Sequence, residues 1–144
     1  MTCCNIFTKF EAKKNLIKEY NHWILLIRNR HKTLGSCLAI AKEHHALLSE
    51  LSQEEMAEYA QVVKDIERAL KKAFNYEHVQ HLLLMAKEKH VHFNVFPRYK
   101  ENKDFAGVTF PDDFPDTPHP LGIKNLPINQ GVLDQIKEEI QKHL

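Results

Sequence analysis

The residues best suited to chemistry lie between positions 90 and 99, where the sequence reads His-Val-His-Phe-Asn-Val-Phe-Pro-Arg-Tyr. The crowding of valine and phenylalanine predicts a strand. Strand side chains alternate between faces, so Val91, Phe93 and Val95 are expected to enter a core while His90, His92 and Asn94 line the other face, about 6–7 Å apart in succession. An imidazole can act as acid, base, nucleophile or metal ligand near neutral pH, because its reference pKa is about 6.5. The spacing alone leaves a structural pair, a metal pair, catalysis and anion binding all open. Pro97 has no backbone donor and closes the strand, with Arg98 and Tyr99 at its mouth.

The elements that must hold this row can be read on either side of it. Val79–Met85 predicts a strand with Leu82, Leu83, Leu84 and Met85 buried. Its connection through Ala86-Lys87-Glu88-Lys89 is too short for a parallel crossover, so the two strands are expected to be antiparallel neighbours. Ser52-Gln53-Glu54-Glu55 is a capping box that starts a long helix, with Met56, Tyr59, Ala60, Val63, Ile66, Leu70 and Phe74 as its apolar stripe. Leu16–Tyr20 and Trp23–Ile27 flank Asn21-His22 as a hairpin, and Cys37–Ala41 predicts a further strand. Between them Arg28, Arg30 and Lys32 form a basic segment, either a solvated loop or a contact for polyphosphate. Leu47, Leu48 and Leu51 mark a short apolar segment, and the adjacent His44 and His45 read as surface or cap residues. Residues 7–14 predict a short polar helix or a frayed end. Residues 100–130 predict a proline-rich loop (Pro111, Pro115, Pro118, Pro120) packed by Phe105, Phe110 and Phe114. Gln130–Leu144 predicts an amphipathic helix carried by Leu133, Ile136 and Ile140.

The chain of 144 residues is read as one domain, with no internal repeat. Its net charge of +1 gives no reason to expect nucleic acid or an anionic membrane as partner. No apolar run approaches the ~18–20 residues that span a bilayer, and the N-terminal residues lack the apolar core of a secretory signal. A cytoplasmic protein with reduced thiols is expected. Cys3 and Cys4 are adjacent rather than at a ligand spacing such as Cys-x-x-Cys, so no metal ligand is assigned from them.

The run His90, His92, Asn94, then Val95-Phe96-Pro97-Arg98-Tyr99, resembles the signature of the histidine triad (HIT) family of nucleotide hydrolases and transferases, with Asn94 at the third histidine. The resemblance covers roughly residues 20–121. It is similar in particular to a bacterial diadenosine-polyphosphate-hydrolase-like branch through Thr33-Leu34-Gly35-Ser36, Leu82-Leu83-Leu84-Met85 and Phe105-Ala106-Gly107-Val108-Thr109-Phe110. It implies an α+β fold with an antiparallel sheet of about five strands, one long helix and a C-terminal helix, usually as a homodimer. It also implies that His92 is a nucleophile attacking the α-phosphorus of a nucleotide, with no cofactor required. His90 would flank the phosphate and fix the tautomer of His92, in part through its carbonyl. Arg28, Asn29, Gln80 and Arg98 are the candidate nucleotide contacts.

Three departures accompany the resemblance. Asn94 can donate hydrogen bonds but cannot act as an acid. Ser36 stands where many members have a fourth histidine. Ala86-Lys87-Glu88-Lys89 replaces a glycine-rich phosphate loop. The leading expectation is an enzyme acting on dinucleoside polyphosphates or other adenylylated compounds. A nucleotide-binding module with little turnover is the alternative, and a histidine-rich metal-binding dimer the third, with His90, His92, His22, His31 and His81 available but at no diagnostic spacing.

Overall fold

The computed structural model describes residues 4–112 and 125–144. In chain order these form α1 (Ile6–Lys9), α2 (Ala12–Asn15), β1 (Leu16–Glu19), β2 (Trp23–Ile27), β3 (Cys37–Ala41), α3 (Gln53–Phe74), β4 (His78–Leu82), β5 (His92–Arg98), β6 (Lys103–Phe105), β7 (Val108–Phe110) and α4 (Gln130–Gln141). The result is an α+β fold. β1 to β5 make one antiparallel sheet in the order β1-β2-β3-β5-β4. Among the described residues no helix is long and apolar enough to cross a membrane.

The capping box forms as expected: Ser52 Oγ accepts from the Glu55 amide at 3.1 Å, and Glu55 Oε1 accepts from the Ser52 amide at 2.8 Å. The helix it starts turns a slightly different face inward. Tyr59, Val62, Ile66, Ala69, Leu70 and Phe74 are buried, whereas Met56 is 44% exposed and Ala60 is exposed. Glu55 accounts for the difference, because its carbonyl accepts the Trp23 indole N–H at 2.8 Å and its carboxylate meets His45 Nε2 at 2.9 Å. With Glu55 turned inward, Met56 lies about 100° further round the helix and faces water.

Alternation in β5 divides the molecule. Val91 and Val95 enter the core beneath α3 and α4, and Phe93 stacks on Tyr59 with ring centroids 4.4 Å apart. Leu133, Ile136 and Ile140 bring α4 to the same core. On the opposite sheet face Ile24, Leu26, Leu38 and Ile40 form a second cluster, covered by Ile6 and Phe10. The N-terminal residues are therefore neither frayed nor purely polar: an isoleucine and a phenylalanine four apart give the short α1 one apolar side.

β4 is antiparallel to β5, as its short connection requires, but it is half-buried throughout and ends at Leu82. The expected burial of Leu82–Met85 does not hold, since Leu84 is 47% exposed. β4 is an edge strand, and its continuation leaves the sheet to wall a cavity. Residues 100–130 likewise contain more than a loop: β6 and β7 make a hairpin whose turn residues, Ala106 and Gly107, both have positive φ, as a tight two-residue turn demands. Phe114, Pro115, Pro118 and Pro120 lie outside the described residues.

Candidate functional site

The site grows from the even-numbered side chains of β5. His92 and Asn94 lie opposite Ile40 and Leu38 of β3 in the sheet register. They line a cavity of about 360 Å³, within the range of small-ligand sites. Its other walls are Arg28, Arg30 and Lys32 from the β2–β3 connection, Lys9 and Phe10 at the end of α1, and residues 84–88 between β4 and β5. Lys9 Nζ and Glu88 Oε1 form an ion pair at 2.9 Å between two of these walls.

The geometry fixes the tautomer of His92. Its Nδ1 lies 2.6 Å from the His90 carbonyl oxygen, and a carbonyl only accepts. The proton therefore sits on Nδ1, and Nε2 carries the lone pair. Burial pushes the His92 pKa below its ordinary value, against the His90 carbonyl and the Glu88 charge, which raise it. Near pH 7 the ring is neutral and nucleophilic.

Asn94 is oriented by a similar argument. Arg28 Nε donates to Asn94 Oδ1 at 3.3 Å. A guanidinium has only donors, so the amide must turn its oxygen to Arg28 and keep its NH2 as the group available to the cavity. Arg28 itself is buried, with its guanidinium 5.6 Å from the Phe10 ring centroid and 5.7 Å from that of Phe96. It also donates to the Arg30 carbonyl. Burial, then the nearby Arg30 charge, lower its pKa to about 10, which leaves it cationic at neutral pH.

The segment carrying these cations is held from within by His31, which is fully buried. His31 Nδ1 lies 3.0 Å from the Arg28 carbonyl, and Nε2 accepts from the Gly35 amide at 3.0 Å. Gly35 has φ +87°, and a Cβ there would lie 2.9 Å from Leu70 Cδ2. The following residue, Ser36, is buried and hydrogen-bonded to Thr33, away from the cavity lining.

Of the residues singled out in the sequence, His92, Asn94 and Arg28 meet at the cavity. The His90 ring does not line it: Nε2 donates to the Ala41 carbonyl at 2.6 Å, and only the His90 carbonyl serves His92. Arg98 is buried in a bidentate pair with Asp112, at 2.8 and 2.9 Å, and donates to Gln80 Oε1 at 2.9 Å. Arg98 thus binds Gln80 and, through Asp112, the segment after β7. Asn29 donates to the Lys9 carbonyl and to Glu11. None of these three lines the cavity. Lys9 and Phe10 are cavity residues that carried no sequence signal, whereas Lys87 belongs to the connection that stands in place of a phosphate loop.

His90 Nδ1, left with the lone pair, lies 3.4 Å from Cys4 Sγ and 3.2 Å from His44 Nδ1, and these two are 4.0 Å apart. One thiol and two imidazoles therefore converge on a point that could hold a metal. Glu43, His45 and Glu55 also approach one another, but Glu55 is committed to capping α3 and Glu43 is exposed.

A sequence model of the HIT domain matches residues 9–101. No curated protein matches the chain significantly. Among solved structures, the fold is similar to a HIT-like protein described as involved in cell-cycle regulation in Bartonella henselae, at 20% identity and TM-score 0.70 over all of both chains. It is similar to a hypothetical histidine triad nucleotide-binding protein of Sulfolobus tokodaii, at 18% identity and TM-score 0.70 over 96% of this chain and 90% of that one. A Zn-bound histidine triad protein of Mycobacterium smegmatis is similar at 17% identity and TM-score 0.68, over 97% and 94%.

Proposed function

The chain belongs to the histidine triad (HIT) family, and from that premise we propose that it is a nucleotide-phosphate hydrolase or nucleotidyl transferase working through a nucleotidyl-histidine at His92. Its substrates are dinucleoside polyphosphates or other adenylylated compounds. The observation that carries this reading is the bond from His92 Nδ1 to the His90 carbonyl, which leaves a neutral, oriented Nε2 in a side chain lining the cavity.

The Nε2 lone pair attacks the α-phosphorus, and the N–P bond forms as the bond to the leaving oxygen breaks. That oxygen departs with the electron pair, and the positive charge left on the ring is stabilised through Nδ1–H by the His90 carbonyl. An acceptor oxygen then adds to phosphorus, the N–P bond breaks, and its electron pair returns to Nε2. With water as acceptor the product is the free nucleotide and a proton. Splitting the displacement in two leaves the protein mainly a positioning and electrostatic task. Asn94 NH2 donates to a non-bridging oxygen, and Arg28 offsets its charge. The chemistry as written requires no cofactor.

A single turnover with a dinucleoside tetraphosphate, quenched in alkali, is expected to leave an acid-labile adenylyl group on His92 that is absent in His92→Ala. Equal turnover by His92→Ala refutes the nucleophile. Binding of adenosine monophosphate with neither adduct nor turnover leaves the nucleotide-binding module as the function.

A second reading is favoured by Cys4, His44 and His90. Their mixed nitrogen and sulfur donors suit zinc, and the His90–Ala41 bond is the outer contact that fixes a ligating imidazole. A metal held there would be structural, tying the N-terminal segment at Cys4 to His90, two residues before β5. Elemental analysis is expected to find zinc in the purified protein and to lose it in Cys4→Ser and His44→Ala. A metal-free wild type after growth with zinc refutes it.

A further inference from the structure

Hydrolysis of a nucleotidyl-histidine requires water to lose a proton as it attacks, and few groups in the cavity can take one. His92 is by then bonded to phosphorus through Nε2, and its Nδ1–H is held by the His90 carbonyl at 2.6 Å. Asn94 carries an amide that does not titrate. The arginines and lysines of the wall only donate in their cationic forms, and Arg28 keeps that form with a pKa of about 10. Among the described residues that line the cavity, one carboxylate is left, Glu88. It stands in the β4–β5 connection, four positions before His92. Its side chain is 15% exposed, and its Oε1 accepts from Lys9 Nζ at 2.9 Å, which fixes it against the end of α1. The charge of Glu88 reaches His92, whose pKa it raises against the opposing effect of burial. A carboxylate repels the phosphates that the rest of the wall attracts. Its place there calls for a role other than holding substrate.

We propose that Glu88 is the general base that activates the water resolving nucleotidyl-His92. The inference rests on the reading of His92 as the nucleophile and adds to it a catalytic residue and the acceptor. The leaving group and the water use the side of phosphorus opposite Nε2 in turn, so a carboxylate that borders the departing oxygen borders the water that replaces it. As the water oxygen bonds to phosphorus, Glu88 takes its proton, the N–P bond breaks and the electron pair returns to Nε2. The carboxyl group then releases the proton to solvent. Lys9 holds the carboxylate in the cavity wall. An anionic acceptor such as inorganic phosphate attacks through an oxygen already without a proton and is repelled by the same carboxylate. The arrangement therefore favours hydrolysis over transfer to phosphate.

The test separates the two steps in rapid-quench single turnovers of a dinucleoside tetraphosphate by the full chain. In Glu88→Gln, whose amide oxygen can still accept from Lys9, the adenylyl adduct on His92 is expected to form at close to the wild-type rate. Its hydrolysis is expected to slow about 10²–10⁴-fold, as loss of a positioned proton acceptor typically costs, so that the adduct accumulates. Lys9→Gln breaks the ion pair and keeps the carboxylate, and it is expected to hydrolyse the adduct faster than Glu88→Gln does. If Glu88→Gln hydrolyses the adduct as fast as the wild type, if both steps slow together, or if Lys9→Gln slows hydrolysis as much, Glu88 is refuted as the base while His92 stands. If the wild type forms no adduct, the reading of His92 falls and the base with it.

Discussion

Acidification should unfasten the connection between β2 and β3 through His31. Burial depresses its pKa to about 4, against the Arg28 carbonyl, which raises it. In the unfolded chain the group titrates near 6.5. Folding therefore favours the neutral ring, and this contribution is fully present above about pH 6.5 and lost as the pH falls toward 4. At 1.36 kcal/mol per pH unit, the loss is roughly 2 kcal/mol at pH 5 and roughly 3 kcal/mol at pH 4. His90 and His92 are depressed in the same direction, so the experiment needs a difference. Urea unfolding of the wild type and His31→Gln between pH 7.5 and 4 provides it. The variant is expected to be less stable at pH 7.5, with the Gly35 amide and the Arg28 carbonyl poorly matched, but to lose less stability on acidification, so that the two curves converge. Curves that stay parallel over the whole range refute the assignment of His31 as a buried neutral strut.

Asn94→His places a second imidazole in the cavity wall with His92. It is expected to raise kcat/KM for an adenosine phosphoramidate more than for a dinucleoside tetraphosphate, by up to ~10²-fold as acid catalysis typically contributes; an unchanged ratio means that Asn94 only positions phosphate. Gly35→Ala must strain a positive φ and press on Leu70, which should cost roughly 2–4 kcal/mol in chemical unfolding; a loss below 1 kcal/mol means the turn can yield. The open edge of β4 invites pairing with a second copy, and we propose a homodimer of twice the 16.9 kDa chain mass. Sedimentation of a monomer at micromolar concentration ends that proposal.

What the sequence disclosed was local. The alternation of β5, the capping box of α3 and the hairpin at Asn21-His22 depend on neighbours in the chain, and the structure reproduces each of them. A continuous apolar run carries no such phase, so Leu82–Met85 read as buried although the strand lies at an edge. The α3 stripe was displaced by a buried glutamate, a residue that hydropathy places outside. Arg98 looked available as a phosphate contact because its partner, Asp112, lies 14 residues away and is unmarked by any motif. Cys4, His44 and His90 are separated by 40 and 46 positions, and only folding brings them within reach.

The covering of the second sheet face by α1 has a consequence for motion. Ile6 and Phe10 cover four buried side chains of the sheet, Ile24, Leu26, Leu38 and Ile40, whereas the chain just after them is bolted to α4 by Asn15–Gln130, Lys14–Lys137 and Ile17–Gln141 contacts. The segment ending near Glu11, whose left-handed φ of 50° separates α1 from α2, is thus expected to open more readily than the sheet beneath it. That segment also supplies Lys9 and Phe10 to the cavity. The site exists only while it is docked, so each ligand bound draws from the docked population and holds it there. Nucleotide should therefore register most strongly as slowed hydrogen exchange in residues 6–10, on a helix the ligand touches only at its end.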